Sequence, residues 1–416
     1  MHSENPPTSS AAPNLVLLPH ARLPGTGLQT PDTDPQLLGL GLMQRTVLAA
    51  RRAGCRQVFF LQADRTAPAG LTAIADWGSL AAAVDSLQPG PLIIAPQSIL
   101  AETRWLERLP AIAAAATVWA AIPHRLVVLS GKAISSALAA LKQVGAHDMQ
   151  RVEACLRGRF GPPAAVPSEI DPLLVETSND IPAAERRLLR SLVKQTDGFM
   201  ARHFDRHISL QISRRLASTS VKPTQITMIS IAIGLCGAPF FLSALWYWQT
   251  IGALLFLLHS IVDGCDGELA RLRFQESRYG GILDFWGDNI VHIAVFGCIA
   301  VGWARAVSAM WPLLLGTAAI AGTLGSAGFV YWRQIRFHDG SGPVFTSVSA
   351  VSHDRLAGLL DAAARRDFIY MVPVLTLFGK ASWFLVMAAL GAPIFFFLLI
   401  SVAIRERLQR KQTAPT

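Results

Sequence analysis

The chain has 416 residues, too many for one small domain, and 51% of them are hydrophobic while 16% are charged, against about 25% charged in soluble proteins. Its net charge of +9 would suit a nucleic acid, but the basic residues sit beside apolar runs, with Arg214, Arg215 and Lys222 before them and Arg405, Arg407, Arg410 and Lys411 after, which points to a membrane surface instead. The five cysteines, at 55, 155, 236, 265 and 298, form no CxxC pair, so neither a zinc site nor a disulfide framework is indicated.

In chain order, residues 1–14 are polar and Pro-rich without an apolar core, so a disordered leader and no signal peptide are expected. The next unit, 15–180, carries short apolar runs that read as buried strands at Leu15–Leu18, Val58–Leu61, Leu92–Ala95 and Leu126–Leu129. Leu37–Gly54 and Leu71–Leu87 read as helices between them. This alternation predicts a parallel sheet covered by helices, with a Pro-containing connection over 151–180.

From about 181 to 222 the pattern turns amphipathic and basic. Leu188, Leu189, Leu192 and Val193 alternate with Arg186, Arg187, Arg190 and Lys194, and Ile208–Leu216 reads as a second such helix. Helices of this kind lie at a membrane surface or pack against a soluble domain. The unit 223–416 holds about six apolar runs of spanning type, near 225–244, 248–271, 280–303, 307–332, 367–379 and 382–404, the fifth being short. The fold class expected is a soluble α/β N-terminal domain followed by an all-α polytopic membrane domain of about six transmembrane helices. Arg and Lys crowd the segments 205–222, 271–279, 333–366 and the C-terminus, whereas the other loops hold only Arg305 and Lys380. The positive-inside rule then puts both termini in the cytoplasm, as an even number of spans requires.

Aspartates in apolar spans are costly and mark function. Here they occur as Asp263-Gly-Cys-Asp266-Gly267-Glu-Leu-Ala270-Arg271, then eight residues, then Gly280-Gly-Ile-Leu-Asp284-Phe-Trp-Gly-Asp288. Spacings of three and four place Asp263 and Asp266 on one side of a helix, and Gly280, Asp284 and Asp288 on one face of the next. Four clustered carboxylates cannot all stay ionised without cations. Oxygen-only ligands select hard divalent ions such as Mg²⁺, Mn²⁺ or Ca²⁺. Gly267, Ala270 and Gly280 leave room at the backbone, and Arg271 can hold a phosphate. Two metals beside a diphosphate would neutralise charge during in-line displacement at phosphorus.

The pattern D-x2-D-G-x2-A-R-x8-G-x3-D-x3-D resembles the signature of the CDP-alcohol phosphotransferases, with every fixed position met. The resemblance covers roughly 184–404. It implies transfer of a phosphatidyl or other substituted phosphate group from a CDP-alcohol, CDP-diacylglycerol foremost, to an acceptor alcohol, releasing CMP, in polar-lipid synthesis. It implies Asp263, Asp266 and Asp284 as ligands of two Mg²⁺ or Mn²⁺ ions, and Asp288 as both ligand and catalytic base. Gly267, Ala270, Arg271 and Gly280 would line the cytidine diphosphate pocket. The family's Pro-Asn-x-x-Thr start to its first span is matched by Pro223-Thr224-Gln225-Ile226-Thr227 except at Thr224, leaving Thr227 as a nucleotide contact. The implied setting is a bacterial inner membrane, in contact with lipid and without nucleic acid, with room for a homodimer.

Lys194-Gln-Thr-Asp197-Gly198 and Arg206-His-Ile-Ser209 resemble the juxtamembrane stretch of fusion members that carry a sugar-nucleotidyltransferase-like domain in front. Gly39-Leu-Gly-Leu-Met-Gln-Arg45 and Arg51-Arg-Ala-Gly54 are faintly similar to that domain. Its glycine-rich phosphate loop has no counterpart, since Pro19-His-Ala-Arg22-Leu-Pro-Gly25-Thr-Gly27 stands in its place. The first domain therefore reads as a degenerate nucleotidyltransferase. The other readings are a bifunctional cytidylyltransferase/CDP-alcohol transferase, a membrane prenyltransferase, whose Asp-rich motifs lie on separate helix pairs, and a cation-coupled transporter. The acceptor is not readable, although Arg333, Arg336, His338, His353, Arg355, Arg365 and Arg366 would suit a phosphorylated one.

Overall fold

The computed structural model describes residues 12–19, 34–61, 70–87, 90–116, 118–145, 148–193, 200–337 and 366–413. Most of the expected leader, the loop from His20 through Gly27, and His338, His353, Arg355 and Arg365 lie outside the described residues. The chain divides into two compact units, Met1–Leu188 and Leu189–Thr416.

The first unit is built on a seven-stranded sheet. Its strands are β1 (Asn14–Leu18), β4 (Val58–Leu61), β5 (Thr72–Ile74), β6 (Leu92–Pro96), β8 (Trp119–Ile122), β9 (Leu126–Leu129) and β10 (Ala164–Ala165), in the order β10-β8-β9-β6-β1-β4-β5. Two small pairs stand apart: β2 (Gln36–Leu37) with β3 (Leu40–Gly41), and β7 (Ile99–Leu100) with β11 (Leu173–Leu174). Strands β1, β4, β6 and β9 are apolar apart from Asn14 because both of their faces are covered, and nearly every residue in them is buried.

The sheet is mixed, which corrects the expectation of a parallel one. β5, β4, β1 and β6 run parallel, but β9 is antiparallel to both β6 and β8. The cause is local. Only Pro123, His124 and Arg125 separate β8 from β9, and a connection that short joins only antiparallel strands. His124 takes a positive φ of 60° to make the turn.

Helices α1 (Leu42–Arg52), α2 (Trp77–Asp85), α3 (Thr103–Leu106), α4 (Leu109–Ala115), α5 (Ile134–Val144) and α6 (Met149–Phe160) complete the unit. The helix expected over Leu71–Leu87 begins later. Thr72–Ile74 pairs with β4, and Asp76 then caps α2 by accepting from Ser79 N at 2.7 Å. The helix expected from Leu37 likewise starts at Leu42, after the β2–β3 hairpin. Only the first part of the connection expected over 151–180, up to Phe160, is helix α6, capped by Asp148 on Arg151 N at 2.8 Å. Trp77, Leu80, Phe59, Val16 and Leu141 lie in the core between sheet and helices. Burial pushes the Cys55 thiol up to about 12 and lowers the Arg45 guanidinium to about 10. Arg45 donates to Leu37 O at 2.8 Å, securing the hairpin.

α7 (Ile181–Ser191) follows, with Arg187 paired to Glu102 at 2.5 Å. In the second unit, α8 (Arg206–Ala217) leads to α9 (Pro223–Gly237), α10 (Trp246–Arg273), α11 (Arg278–Val307), α12 (Trp311–Phe337), α13 (Met371–Leu377) and α14 (Ala381–Thr413). Five segments are long and apolar enough to cross a membrane: Pro223–Leu242, Trp246–Arg273, Arg278–Val307, Trp311–Arg333 and Ala381–Arg405. They coincide with five of the expected spans. The run expected over 367–379 is the shorter apolar helix Phe368–Leu377. At 1.5 Å per residue it is about 15 Å long, half the hydrocarbon thickness. Gly379, with φ 65°, ends it before α14.

Aromatic side chains stay exposed at the span ends, among them Trp246, Tyr247, Trp248, Trp311 and Trp383, as in the interfacial belts of membrane proteins. Small residues let the helices close up. A Cβ on Gly302 would lie 2.3 Å from Phe241 O, and one on Gly322 2.5 Å from Pro393 N.

Candidate active site

The aspartates are delivered by the C-terminal end of α10 and the N-terminal end of α11, joined by a short polar loop. Phe274 caps α10 in the left-handed conformation, φ 55°. Ser277 starts α11 by accepting from Gly280 N at 3.0 Å. The phase of α11 is thereby set, and Asp284 and Asp288 come round to face α10.

Asp263, Asp284 and Asp288 each offer a carboxylate oxygen within 4.8 Å of the others. Asp263 is 3% exposed, and the other two are half-buried. Three carboxylates this close repel strongly in a partly dry site unless a cation joins them. The donor set is oxygen, which fits Mg²⁺ or Mn²⁺.

Asp266 stands one turn along and is bound differently. Its Oδ2 accepts from Thr227 Oγ1, and its Oδ1 from Gly267 N. Thr227 thus appears as a support for Asp266. Ser230, one turn further along α9, donates to Thr227 O at 2.8 Å, and its Oγ stands 3.4 Å from Asp263 Oδ1. Arg271 lies over Gly267, where a Cβ would be 3.2 Å from Nη1. Its Nε is buried and has no hydrogen-bond partner among the described residues, so it suits an added anion such as a diphosphate. Ala270 is buried, and Gly280 occupies the first turn of α11.

Two groups of residues around the aspartates were not expected from sequence. His259, 1% exposed, places Nδ1 2.8 Å from Ser230 O and Nε2 3.4 Å from Asp288 Oδ1. A histidine four residues before Asp263 inside an apolar run is a signal that could have found it. Glu268, fully buried, accepts from Arg206 Nη1 at 2.5 Å and from Ser209 and Ser213 Oγ at 2.7 Å each. The polar stripe of α8 faces α10, with Ser209 and Ser213 buried, while Ile208 is 48% exposed. At the other end of α8, Arg273 donates to Leu216 O at 2.6 Å and Ala217 O at 2.8 Å, satisfying carbonyls that the helix end leaves open.

The family model for CDP-alcohol phosphatidyltransferases matches residues 221–405, which include every one of these aspartates. Residues 221–405 belong to the CDP-alcohol phosphatidyltransferase family. The phosphatidyltransferase region makes the chain an integral membrane protein. The chain is 32% identical over 150 residues to the bifunctional IPC transferase and DIPP synthase of Archaeoglobus fulgidus, covering 36% of this chain and 30% of that protein. The namesake from Thermococcus kodakarensis is 39% identical over 118 residues, 28% of this chain and 26% of its own. The chain thus spans about a third or less of the length of these curated relatives. The phosphatidylinositol phosphate synthase of Streptomyces avermitilis is 30% identical over 105 residues, 25% of this chain and 42% of that protein. A crystal structure of the Mycobacterium tuberculosis phosphatidylinositol phosphate synthase with CDP-DAG bound aligns at 19% identity and TM-score 0.33, over 46% of this chain and 90% of that one.

Proposed function

We infer that the chain transfers a substituted phosphate group from a CDP-alcohol to an acceptor alcohol and releases CMP. The observation that carries this is the meeting of Asp263, Asp284 and Asp288 within 4.8 Å on the two helices that bear the family signature. CDP-diacylglycerol is the proposed donor and a polyol or its phosphate the acceptor, in keeping with the basic residues Arg333, Arg336 and Arg366 beside the α12–α13 connection.

In the proposed reaction the acceptor oxygen attacks the phosphorus that bears the donor alcohol, opposite the diphosphate bridge. The new P–O bond forms as the bridging P–O bond breaks, and CMP departs with the bridge electrons. The acceptor's proton passes to the Asp288 carboxylate. Two divalent ions held by Asp263, Asp266, Asp284 and Asp288 would offset the negative charge of the diphosphate. Arg271 binds a phosphate oxygen, and Gly267, Ala270 and Gly280 leave space for the nucleotide. Thr227 orients Asp266, and Ser230 stands beside Asp263.

We place the protein in a bacterial inner membrane with both termini cytoplasmic. That orientation takes an even number of crossings, so the segment holding α13 would add a sixth to the five long apolar helices. The first unit is proposed to be a nucleotidyltransferase-like domain without turnover of its own.

The test is CMP release by the purified chain from CDP-diacylglycerol with polyol acceptors. Stripping divalent ions should abolish release, and Mg²⁺ or Mn²⁺ should restore it. Undiminished release in excess chelator contradicts the proposal.

A further inference from the structure

We propose that Arg273 is a positioning residue for the metal centre: by gathering the carbonyls of the turn between α8 and α9, it sets Thr227 against Asp266. The part Asp266 plays in metal binding rests on the function proposed above; the hold of Arg273 on the turn does not.

α8 ends at Ala217 and α9 begins at Pro223, with residues 218–222 joining them. A helix end leaves its last carbonyls without partners further along the helix. Arg273, the last residue of α10, brings donors to them. Its Nη2 donates to Leu216 O at 2.6 Å, to Ala217 O at 2.8 Å and to Thr219 O. Nη1 donates to Val221 O at 2.6 Å, and Nε to Ala217 O at 3.2 Å. One guanidinium thus spans four carbonyls, from the end of α8 to the residue before the N-cap of α9. Its donors form a rigid planar fork, so this set of contacts selects one arrangement of the turn.

From Val221 the chain has little freedom before it reaches the site. Lys222 N donates to Gln225 Oε1 at 2.9 Å, and Pro223 takes the first helical position, where its fixed φ suits the helix. Thr227 follows one turn later and donates to Asp266 Oδ2. Asp266 and Arg273 are seven residues apart on α10, so they stand on one face, separated by about 10 Å along the axis. α10 therefore meets the entry to α9 twice, at the turn through Arg273 and at the site through Asp266. Fixing the first contact fixes where the second falls. The other oxygen of Asp266 accepts from Gly267 N on its own helix, so Thr227 is a contact from outside α10 that orients this carboxylate. Losing an outer partner of a metal-binding carboxylate typically costs about 10–100-fold in metal affinity or activity. Charge alone does not account for the arrangement. A cation is favourable anywhere near a helix C-terminus, whereas here all three guanidinium nitrogens are aimed at carbonyls.

The full chain in detergent is compared with Arg273→Gln, Arg273→Lys, Thr227→Val and the double variant Arg273→Gln/Thr227→Val. Mn²⁺ binding is read by electron paramagnetic resonance, and amide hydrogen exchange over residues 216–227 by mass spectrometry. Arg273→Gln, whose single amide cannot span the four carbonyls, should weaken Mn²⁺ binding about 10-fold and speed exchange over 216–227 about 10-fold or more. Arg273→Lys keeps the charge but not the fork and should fall with it. Thr227→Val should weaken Mn²⁺ binding about 10-fold without faster exchange over 216–221. The double variant should bind Mn²⁺ no more than about threefold worse than Thr227→Val, because Arg273 acts through Thr227. If one Arg273 variant does not fold, the other carries the comparison. Wild-type Mn²⁺ affinity in Arg273→Gln or Arg273→Lys overturns the proposal, as do losses that multiply to about 100-fold in the double variant. Wild-type Mn²⁺ affinity in Asp266→Asn, or a wild-type chain that binds no Mn²⁺, would sink the metal role proposed above alone, and hydrogen exchange would still decide whether Arg273 holds the turn.

Discussion

Removing Arg206 should damage the membrane unit more than neutralising its partner Glu268. The pair is asymmetric: the Glu268 side chain is 0% exposed and that of Arg206 14%. Arg206→Ala strands a carboxylate with no route to water, and breaking a buried pair in this way costs about 3–5 kcal/mol. Ser209 and Ser213 still donate to Glu268 at 2.7 Å each, which puts the expected loss near the lower end, about 3 kcal/mol. In Glu268→Gln the side chain keeps its shape, one serine still donates to the amide oxygen and the other turns to accept from the amide nitrogen, while Arg206 can turn its charge to water, so about 1–2 kcal/mol is expected. At about 2–4 °C per kcal/mol for a unit of this size, the midpoints should fall by about 9 °C and about 4 °C. Thermal unfolding of the full chain in detergent, followed by tryptophan fluorescence, reads both. A Glu268→Gln variant less stable than Arg206→Ala, or two variants indistinguishable from wild type, would refute the reasoning about which end of the pair is trapped.

Asp288→Asn should remove CMP release while CDP-alcohol binding, measured by titration, survives, because a base acts in the chemical step; Asp263→Asn should lose both. A wild-type turnover for Asp288→Asn rejects its role as base. Gly302→Ala should lower the unfolding midpoint, since its Cβ would lie 2.3 Å from Phe241 O and overpacking of this kind costs about 1–3 kcal/mol. Gly328→Ala, with nothing within 4 Å, is the control and should change stability by less than about 1 kcal/mol. The full chain given CTP and polyol phosphates should release no pyrophosphate, because Pro19 and Pro24 remove N–H donors where a triphosphate loop would need them. Metal-dependent pyrophosphate release would overturn that view and make the protein a two-step enzyme.

The strands β1, β4, β6 and β9 were legible because each is buried on both faces and so reads as an unbroken apolar run. β5 was not, since Thr72 and Ala73 are exposed at an edge and only Ile74 is buried. β8 lies at the end of an Ala-rich stretch with no periodicity to mark it. The direction of β9 depended on recognising the three-residue turn at Pro123–Arg125. The spans were legible to within a few residues because the bilayer dictates their length, whereas Phe368–Leu377 was ambiguous because Gly379 and Lys380 interrupt its run. Chain spacing alone put the aspartates on facing helices. It could not show that Asp266 turns to Thr227, that His259 reaches across to Asp288, or that the serines of α8 point inward to Glu268, because each contact joins different helices.

The most direct test of the central claim is to give the purified chain CDP-diacylglycerol, Mg²⁺ and a panel of acceptors that includes glycerol phosphate and inositol phosphate, and to identify the products by mass. The account predicts one new lipid, heavier than its phosphatidyl group by the acceptor, formed with an equal amount of CMP and absent in Asp288→Asn. Intact CDP-diacylglycerol with every acceptor, or product formation unchanged in Asp288→Asn, would contradict it.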